Sequence, residues 1–222
     1  MSDGGGSSST GGPDGPPVAV PGSDSRGLLA TLDRARTLGF LGPGPVEDHI
    51  THASGFLTAL ASVTGRVVDL GSGGGVPGLI LAIERPDLEL VLVDATAKRC
   101  RFLEEAVARL QLTASVIEGR AEVIGHGALR GTADAVVARS FGPPSVTAEC
   151  AAPLLRPGGL LVVSEPPASG EDRWPVAPLS KLGLRPLLRT TTSPVIQVLT
   201  LAASCPDEFP RRDGVPAKRP LF

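Results

Sequence analysis

An acid and a run of glycines stand together at Asp69-Leu70-Gly71-Ser72-Gly73-Gly74-Gly75. A glycine turn lets a ligand approach the backbone, because a Cβ at Gly71 or Gly73 would block the approach or forbid the dihedrals. Asp69 precedes the turn and is placed to accept hydrogen bonds near a positively charged ligand. Asp94 closes the next apolar run, where an acid can take both hydroxyls of a ribose. Ala121 and Glu122 follow the third run, where the base of a nucleoside would lie. Glu122 is either an acceptor for an exocyclic amine or solvated surface. Arg139 ends a fourth run. A charge closing a buried strand is costly without a partner, which favours a functional role in the crevice.

A nucleoside that also carries positive charge is S-adenosylmethionine, with an ammonium and a sulfonium. The stretch Gly73-Gly74-Gly75-Val76-Pro77-Gly78 also matches G-x-G-x-x-G, the dinucleotide fingerprint. That match starts late relative to the strand end, and Asp69 would be a poor neighbour for a pyrophosphate. The methyl donor is therefore the expected cofactor and a nicotinamide the alternative.

These residues need a sheet whose strand ends converge. The segments RVVDLG (66–71), ELVLVDA (89–95), ASVIEG (114–119), DAVVARS (134–140) and GLLVVSEP (159–166) read as strands. Helical stretches alternate with them at 77–84, 98–110 and 146–155. In the second, Phe102, Leu103, Val107 and Leu110 share one face. Such alternation predicts a parallel sheet with helices on both faces. LRPLLRTTT (184–192) and VIQVLTLAA (195–203) follow without room for a helix between them, and predict a closing antiparallel hairpin. The expected class is α/β, a Rossmann-like methyltransferase of class I.

Four regions follow from composition: a Gly/Ser/Pro-rich disordered tail over 1–25, a short helical lead-in over 26–64, the main domain over 65–204 and a basic C-terminal tail over 205–222. The chain has 222 residues, and 3% aromatics with no Tyr leave Val, Leu, Ile and Ala to build the core. A net charge of −2 argues against nonspecific coating of nucleic acid. The three cysteines are widely spaced, so neither zinc nor a disulfide framework is expected. His49 and His52 lack the partners a metal needs. No apolar run approaches a membrane span, and no secretory signal opens the chain. A cytoplasmic monomer that binds no metal and no membrane is the expectation.

Taken together these residues resemble the RsmG (GidB) family of small-subunit rRNA guanine-N7 methyltransferases. The matching stretches are VVDLGSGGGVPGLILAIERPDLELVLVDATAKRCRFLEE (67–105), GRAE (119–122), VVARSF (136–141), LLRPGGLLVV (154–163) and FPRRDGVPAKRPL (209–221). The resemblance implies a cofactor at Gly71, Val76, Asp94, Ala121, Glu122 and Arg139, to which the residues themselves add Asp69 and Gly73. It implies RNA or the target base near His49, Lys98, Arg99, Arg120 and Arg139, with Arg139 and Arg120 at the reacting centre. The partner implied is 16S rRNA or the small ribosomal subunit.

This chain departs from the family in two places. It lacks the family's tryptophan–asparagine and asparagine–leucine–threonine motifs between residues 26 and 48, and it carries His49-Ile50-Thr51-His52 where the family has His-x-x-Asp/Asn. Lys98, Arg99 and Arg101 open a helix at the end its dipole makes unfavourable for cations. They point either to an anionic partner such as RNA phosphate or to a solvated cluster balanced by Glu104 and Glu105. Arg211, Arg212, Lys218 and Arg219 are either a phosphate grip or a solubilising end. Guanine N7 has a free lone pair and needs no general base, and none is evident. A small-molecule methyltransferase and a non-catalytic RNA-binding paralogue stand as the alternatives.

Overall fold

A computed structural model describes residues 24–166 and 170–222. Most of the tail expected over 1–25 lies outside the described residues.

Two helices lead in, α1 (Asp24–Thr37) and α2 (Val46–Ala59). Then come β1 (Arg66–Leu70), α3 (Gly78–Glu84), β2 (Glu89–Asp94), α4 (Ala97–Arg109), β3 (Ala114–Glu118), a single turn α5 (Ala121–Ile124), β4 (Ala133–Ala138) and α6 (Pro144–Ala151). β5 (Leu155–Ser164), α7 (Val176–Ser180), the hairpin β6 (Leu184–Arg189) and β7 (Ile196–Leu201), and α8 (Val215–Lys218) complete the order. The seven strands form one sheet ordered β3-β2-β1-β4-β5-β7-β6. The first five are parallel, while β7 runs antiparallel to both β5 and β6. The chain reverses its strand order between β1 and β4, so a crevice opens beyond their carboxyl ends, where ligands bind in such sheets.

Strand residues alternate between two cores. Val68, Leu70, Val91, Val93, Val136 and Leu161 face α6, α7 and the C-terminal segment. Val67, Leu90, Ala135, Val137 and Val162 face α2 and α3 through Phe56, Leu60 and Leu81. Each fully buried leucine or phenylalanine contributes about 1.5–3 kcal/mol, so aliphatic strands suffice where aromatics are scarce. α1 packs against α4 through Leu28, Leu32, Phe102 and Leu103. Among the described residues, no helix is long and apolar enough to cross a membrane.

The helix expected over 146–155 instead ends at Ala151, passes into a short 3-10 turn over Ala152–Leu154, and the strand starts at Leu155. Pro153 has no N–H for the carbonyl one turn back, which breaks the α-helical ladder. Pro157, Gly158 and Gly159, which follow the helix expected over 146–155, lie inside β5. There the pairing with β4 shifts register and Gly158 takes φ +82°.

Candidate functional site

The glycine turn leaves β1 with Gly71 at φ +77° and Gly73 at φ +56°, left-handed values that glycine adopts without strain. The N–H groups of Gly71, Ser72, Gly73 and Gly75 point into the protein. Gly71 and Ser72 donate to the Val93 carbonyl at 2.8 and 2.9 Å, and Gly75 donates to the Ser72 carbonyl at 2.7 Å. Gly73 donates to Oδ2 of Asp94 at 3.0 Å, and Gly78, at the start of α3, donates to Oδ2 of Asp69 at 3.0 Å. A Cβ on Gly78 would sit 2.4 Å from Asp69 Oδ2 and 2.4 Å from Leu92, so only glycine lets α3 close on β1. A phosphate-binding turn aims its N–H groups at the ligand. Here protein acceptors take the N–H groups of Gly71, Ser72, Gly73, Gly75 and Gly78, and two of the acceptors are carboxylates.

Both carboxylates are buried. Asp69 Oδ1 has no hydrogen-bond partner among the described residues. Burial pushes the Asp69 carboxyl up to about 7, and the nearby Asp94 charge adds to the rise. An orphaned acceptor of this kind fits a cationic ligand and would repel an anionic one. Asp94 uses Oδ1 to accept from the Thr96 N–H at 2.9 Å, and Arg99 Nη1 lies 3.6 Å from its Oδ2.

A cavity of about 350 Å³ runs from Gly71 and Asp94 across Ala121 and Glu122 to Phe141 and Ala217. Its depth is apolar, with Val146 and Cys150, which suits a flat base. Glu122 Oε1 accepts from Arg120 Nη2 and from the Gly214 N–H, each at 3.1 Å, and Arg120 Nε donates to Asp213 at 2.9 Å. The C-terminal segment therefore forms one wall of the cavity. Fully buried Glu149 anchors it, accepting from Arg211 N, Nε and Nη2 at 2.9, 2.8 and 2.6 Å. Leu221 N donates to Ser145 Oγ at 2.7 Å, so the segment is folded to its end.

Two further cavities adjoin this one. One of about 330 Å³ lies over the glycine turn, lined by Gly71, Gly73, Val76, Arg99 and Arg139. Another of about 300 Å³ lies beyond β4 and β5, and Arg139 lines it too. Arg139 Nη2 donates to His49 Nδ1 on α2 at 2.5 Å, and His49 Nε2 lies 3.3 Å from the Gly42 carbonyl. Burial lowers the His49 pKa, and the Arg139 charge lowers it further.

Gly71, Gly73, Val76, Asp94, Ala121, Glu122 and Arg139 thus gather at one edge of the sheet, spread over two adjoining cavities, with Asp69 buried behind the glycine turn. Glu122 Oε1 is held by Arg120 and Gly214, and the residue lines the nucleoside cavity. Arg120 lines the same cavity and ties Glu122 to Asp213. One sequence expectation is corrected. Arg211, expected on RNA, spends its guanidinium on Glu149 and the Arg219 carbonyl. Arg99 is half-buried against Asp94, with its guanidinium 6.0 Å over the Phe40 ring. Lys98, Arg212, Lys218 and Arg219 are exposed. Phe141, Cys150 and Ala217 were missed as cavity walls, since nothing in their local sequence distinguishes them from core or tail.

The family model described as rRNA small subunit methyltransferase G matches residues 46–166. A Ribosomal RNA small subunit methyltransferase G from Salinispora arenicola is 40% identical over 167 residues, 71% of this chain and 68% of that protein. One from Rubrobacter xylanophilus is 34% identical over 209 residues, 87% of this chain and 80% of the relative. Among solved structures, cofactor-bound Rv0187 from MTB matches with a TM-score of 0.56 at 17% identity, over 80% of this chain and 90% of that one. The antibiotic-resistance methyltransferase Kmr matches with a TM-score of 0.51 at 17% identity, over 68% of this chain and 93% of that one. Those two likenesses concern the fold, a class I methyltransferase sheet. On the family model and the sequence relatives together, this chain belongs to the rRNA small subunit methyltransferase G family.

Proposed function

We propose that this protein transfers the methyl group of S-adenosylmethionine to N7 of a guanine in 16S rRNA. The single observation that carries the choice of cofactor is the inward-facing glycine turn with its two buried carboxylates. A dinucleotide needs free N–H groups there, and a sulfonium nucleoside needs negative charge. When bound, the donor supplies an already activated methyl group.

The protein's own residues hold and orient the reactants. Asp94 accepts from ribose hydroxyls, and Asp69 offers its unpartnered oxygen to the positive end of the ligand. The apolar depth of the cavity takes the adenine. Arg139 stands between the donor crevice and the cavity beyond β5, held there by His49. Positioning of this kind supplies most of the rate in an in-line displacement. Guanine N7 attacks with its own lone pair, so the residues around Arg139 need supply no general base. Exposed Lys98, Arg212, Lys218 and Arg219 favour an RNA over a small metabolite as substrate.

Incubation with isotope-labelled donor and 16S rRNA, free or in small subunits, followed by mass mapping, tests this. Label at one guanine N7 is expected. Label only in metabolites, or none in RNA, would replace the reading with the small-molecule or the non-catalytic one.

A further inference from the structure

The cavity beyond β4 and β5 holds chemistry that the donor site leaves unused. It shares Phe141 and Gly142 with the nucleoside cavity, and Arg139 and Ser140 with the crevice over the glycine turn. Glu165, next to the end of β5, is 4% exposed and lines it. Its Oε2 accepts from Arg173, whose side chain is 32% exposed. Trp174 also lines the cavity and is 4% exposed, yet its indole N–H has no acceptor among the described residues. The same holds for Nη1 of Arg139. His52 lies 2.6 Å from Ser164 Oγ through Nε2, and burial lowers its pKa. Among the described lining residues, the charged donors are Arg173, which already pairs with Glu165, and Arg139.

A buried carboxylate lining the same cavity as two residues whose buried N–H groups lack acceptors among the described residues matches a ligand with donors on one edge and an acceptor adjoining them. A carboxylate has about four lone-pair directions, so Glu165 can keep Arg173 and still accept two more hydrogen bonds. Guanine offers N1–H and the N2 amine side by side, with O6 next to them. Adenine and cytosine would set a ring-nitrogen lone pair against the carboxylate. Uracil offers a single N–H between two carbonyls.

We infer that this cavity receives the flipped-out target guanine, with Glu165 accepting from N1 and N2 while Arg139 and Trp174 donate to O6. The inference rests on the guanine-N7 reading above and adds which residues choose the base. N7 adjoins O6 on the ring, so a guanine held at O6 by Arg139 turns N7 toward the crevice that Arg139 also lines. Glu165 acts here as a specificity-determining residue. Enzymes that modify extruded bases commonly read the Watson–Crick edge in this way.

The test uses the full-length protein and in vitro transcribed 16S rRNA, rebuilt by ligation with inosine at the mapped target guanosine. Inosine keeps N1–H, O6 and N7 and lacks only the N2 amine. For wild type, kcat/KM on the inosine rRNA should fall by about ten- to a hundredfold. Glu165→Gln should lower transfer to the guanosine rRNA by a similar factor, lose most of the discrimination, and bind S-adenosylmethionine as wild type does. Trp174→Phe, which removes the N–H together with one ring of the indole, should slow transfer to both rRNAs equally, while a thermal melt reads the separate packing loss. A wild type indifferent to the N2 amine, or a Glu165→Gln protein that discriminates fully, overturns the inference and leaves the methylation reading standing. Should Glu165→Gln fail to fold, the inosine comparison and Trp174→Phe still decide. A wild type that methylates no rRNA at all overturns both.

Discussion

Arg139 donates from Nη2 to Nδ1 of His49 at 2.5 Å, across the gap between β4 and α2. A guanidinium only donates, so Nδ1 must carry the lone pair and Nε2 the proton, which matches the Gly42 carbonyl at 3.3 Å. His49 is therefore a neutral acceptor that fixes the orientation of the one arginine lining both the donor crevice and the cavity beyond β5.

This pairing predicts that His49→Leu slows methyl transfer about tenfold, the worth of one hydrogen bond to a charged group. His49→Gln, which offers a carbonyl oxygen to Arg139, should recover most of the loss. The sign with pH follows from the lowered pKa. Protonation of His49 is disfavoured in the folded protein, so stability is lost as pH falls below the ordinary value of 6.5. Steady-state rates on 16S rRNA and thermal melts of wild type and both variants between pH 5 and 8 check this.

Asp94 has two duties, one to the turn and one to the ligand. Asp94→Ala removes the acceptor for Gly73 and Thr96 and should cost about 2–3 kcal/mol of stability. It should also weaken S-adenosylmethionine binding by about tenfold or more through loss of the ribose contact. Chemical denaturation and equilibrium binding measure the two effects separately.

Arg211 and its basic neighbours should separate cleanly. Arg211→Met leaves the fully buried Glu149 carboxylate without its charged partner and should destabilise the protein by about 3–5 kcal/mol. The loss should appear in thermal unfolding without RNA.

Substitution of Arg212, Lys218 and Arg219 by glutamine should leave unfolding unchanged and weaken rRNA binding. The slope of log affinity against log salt should fall by about 0.7–0.9 for each phosphate contact removed. Filter binding over a salt series reads this directly.

The sequence made the donor side legible because its devices are local. The acid before the glycine turn, the acid closing β2 and the arginine closing β4 each sit at a strand end, and strand ends follow from the apolar runs. Glu165 follows β5 in the same way, and the cost argument applied to Arg139 applies to it equally. It was passed over because it was read only as part of the strand GLLVVSEP (159–166). Arg211 was misassigned for another reason. Its partner Glu149 is 62 residues distant along the chain, and only the folded C-terminal segment brings the two together. The early end of α6 was legible in Pro153, whose effect on the ladder is local.

Asp69 offers the most direct test, because its carboxyl sits at about 7 in the free protein. A raised acid stabilises the fold at low pH, and that contribution is lost as pH rises from 3.8 through about 7. Asp69→Asn should therefore unfold at a higher temperature than wild type at pH 8 while binding the donor less well. A cationic ligand favours the ionised form. In calorimetric titrations, S-adenosylmethionine should bind wild type about tenfold tighter at pH 7.5 than at pH 5.5, releasing protons at the lower pH. Asp69→Asn should lose that dependence, and a nicotinamide dinucleotide should give no binding heat. Binding of the dinucleotide in place of the sulfonium compound, or no binding of the latter at either pH, would contradict the account.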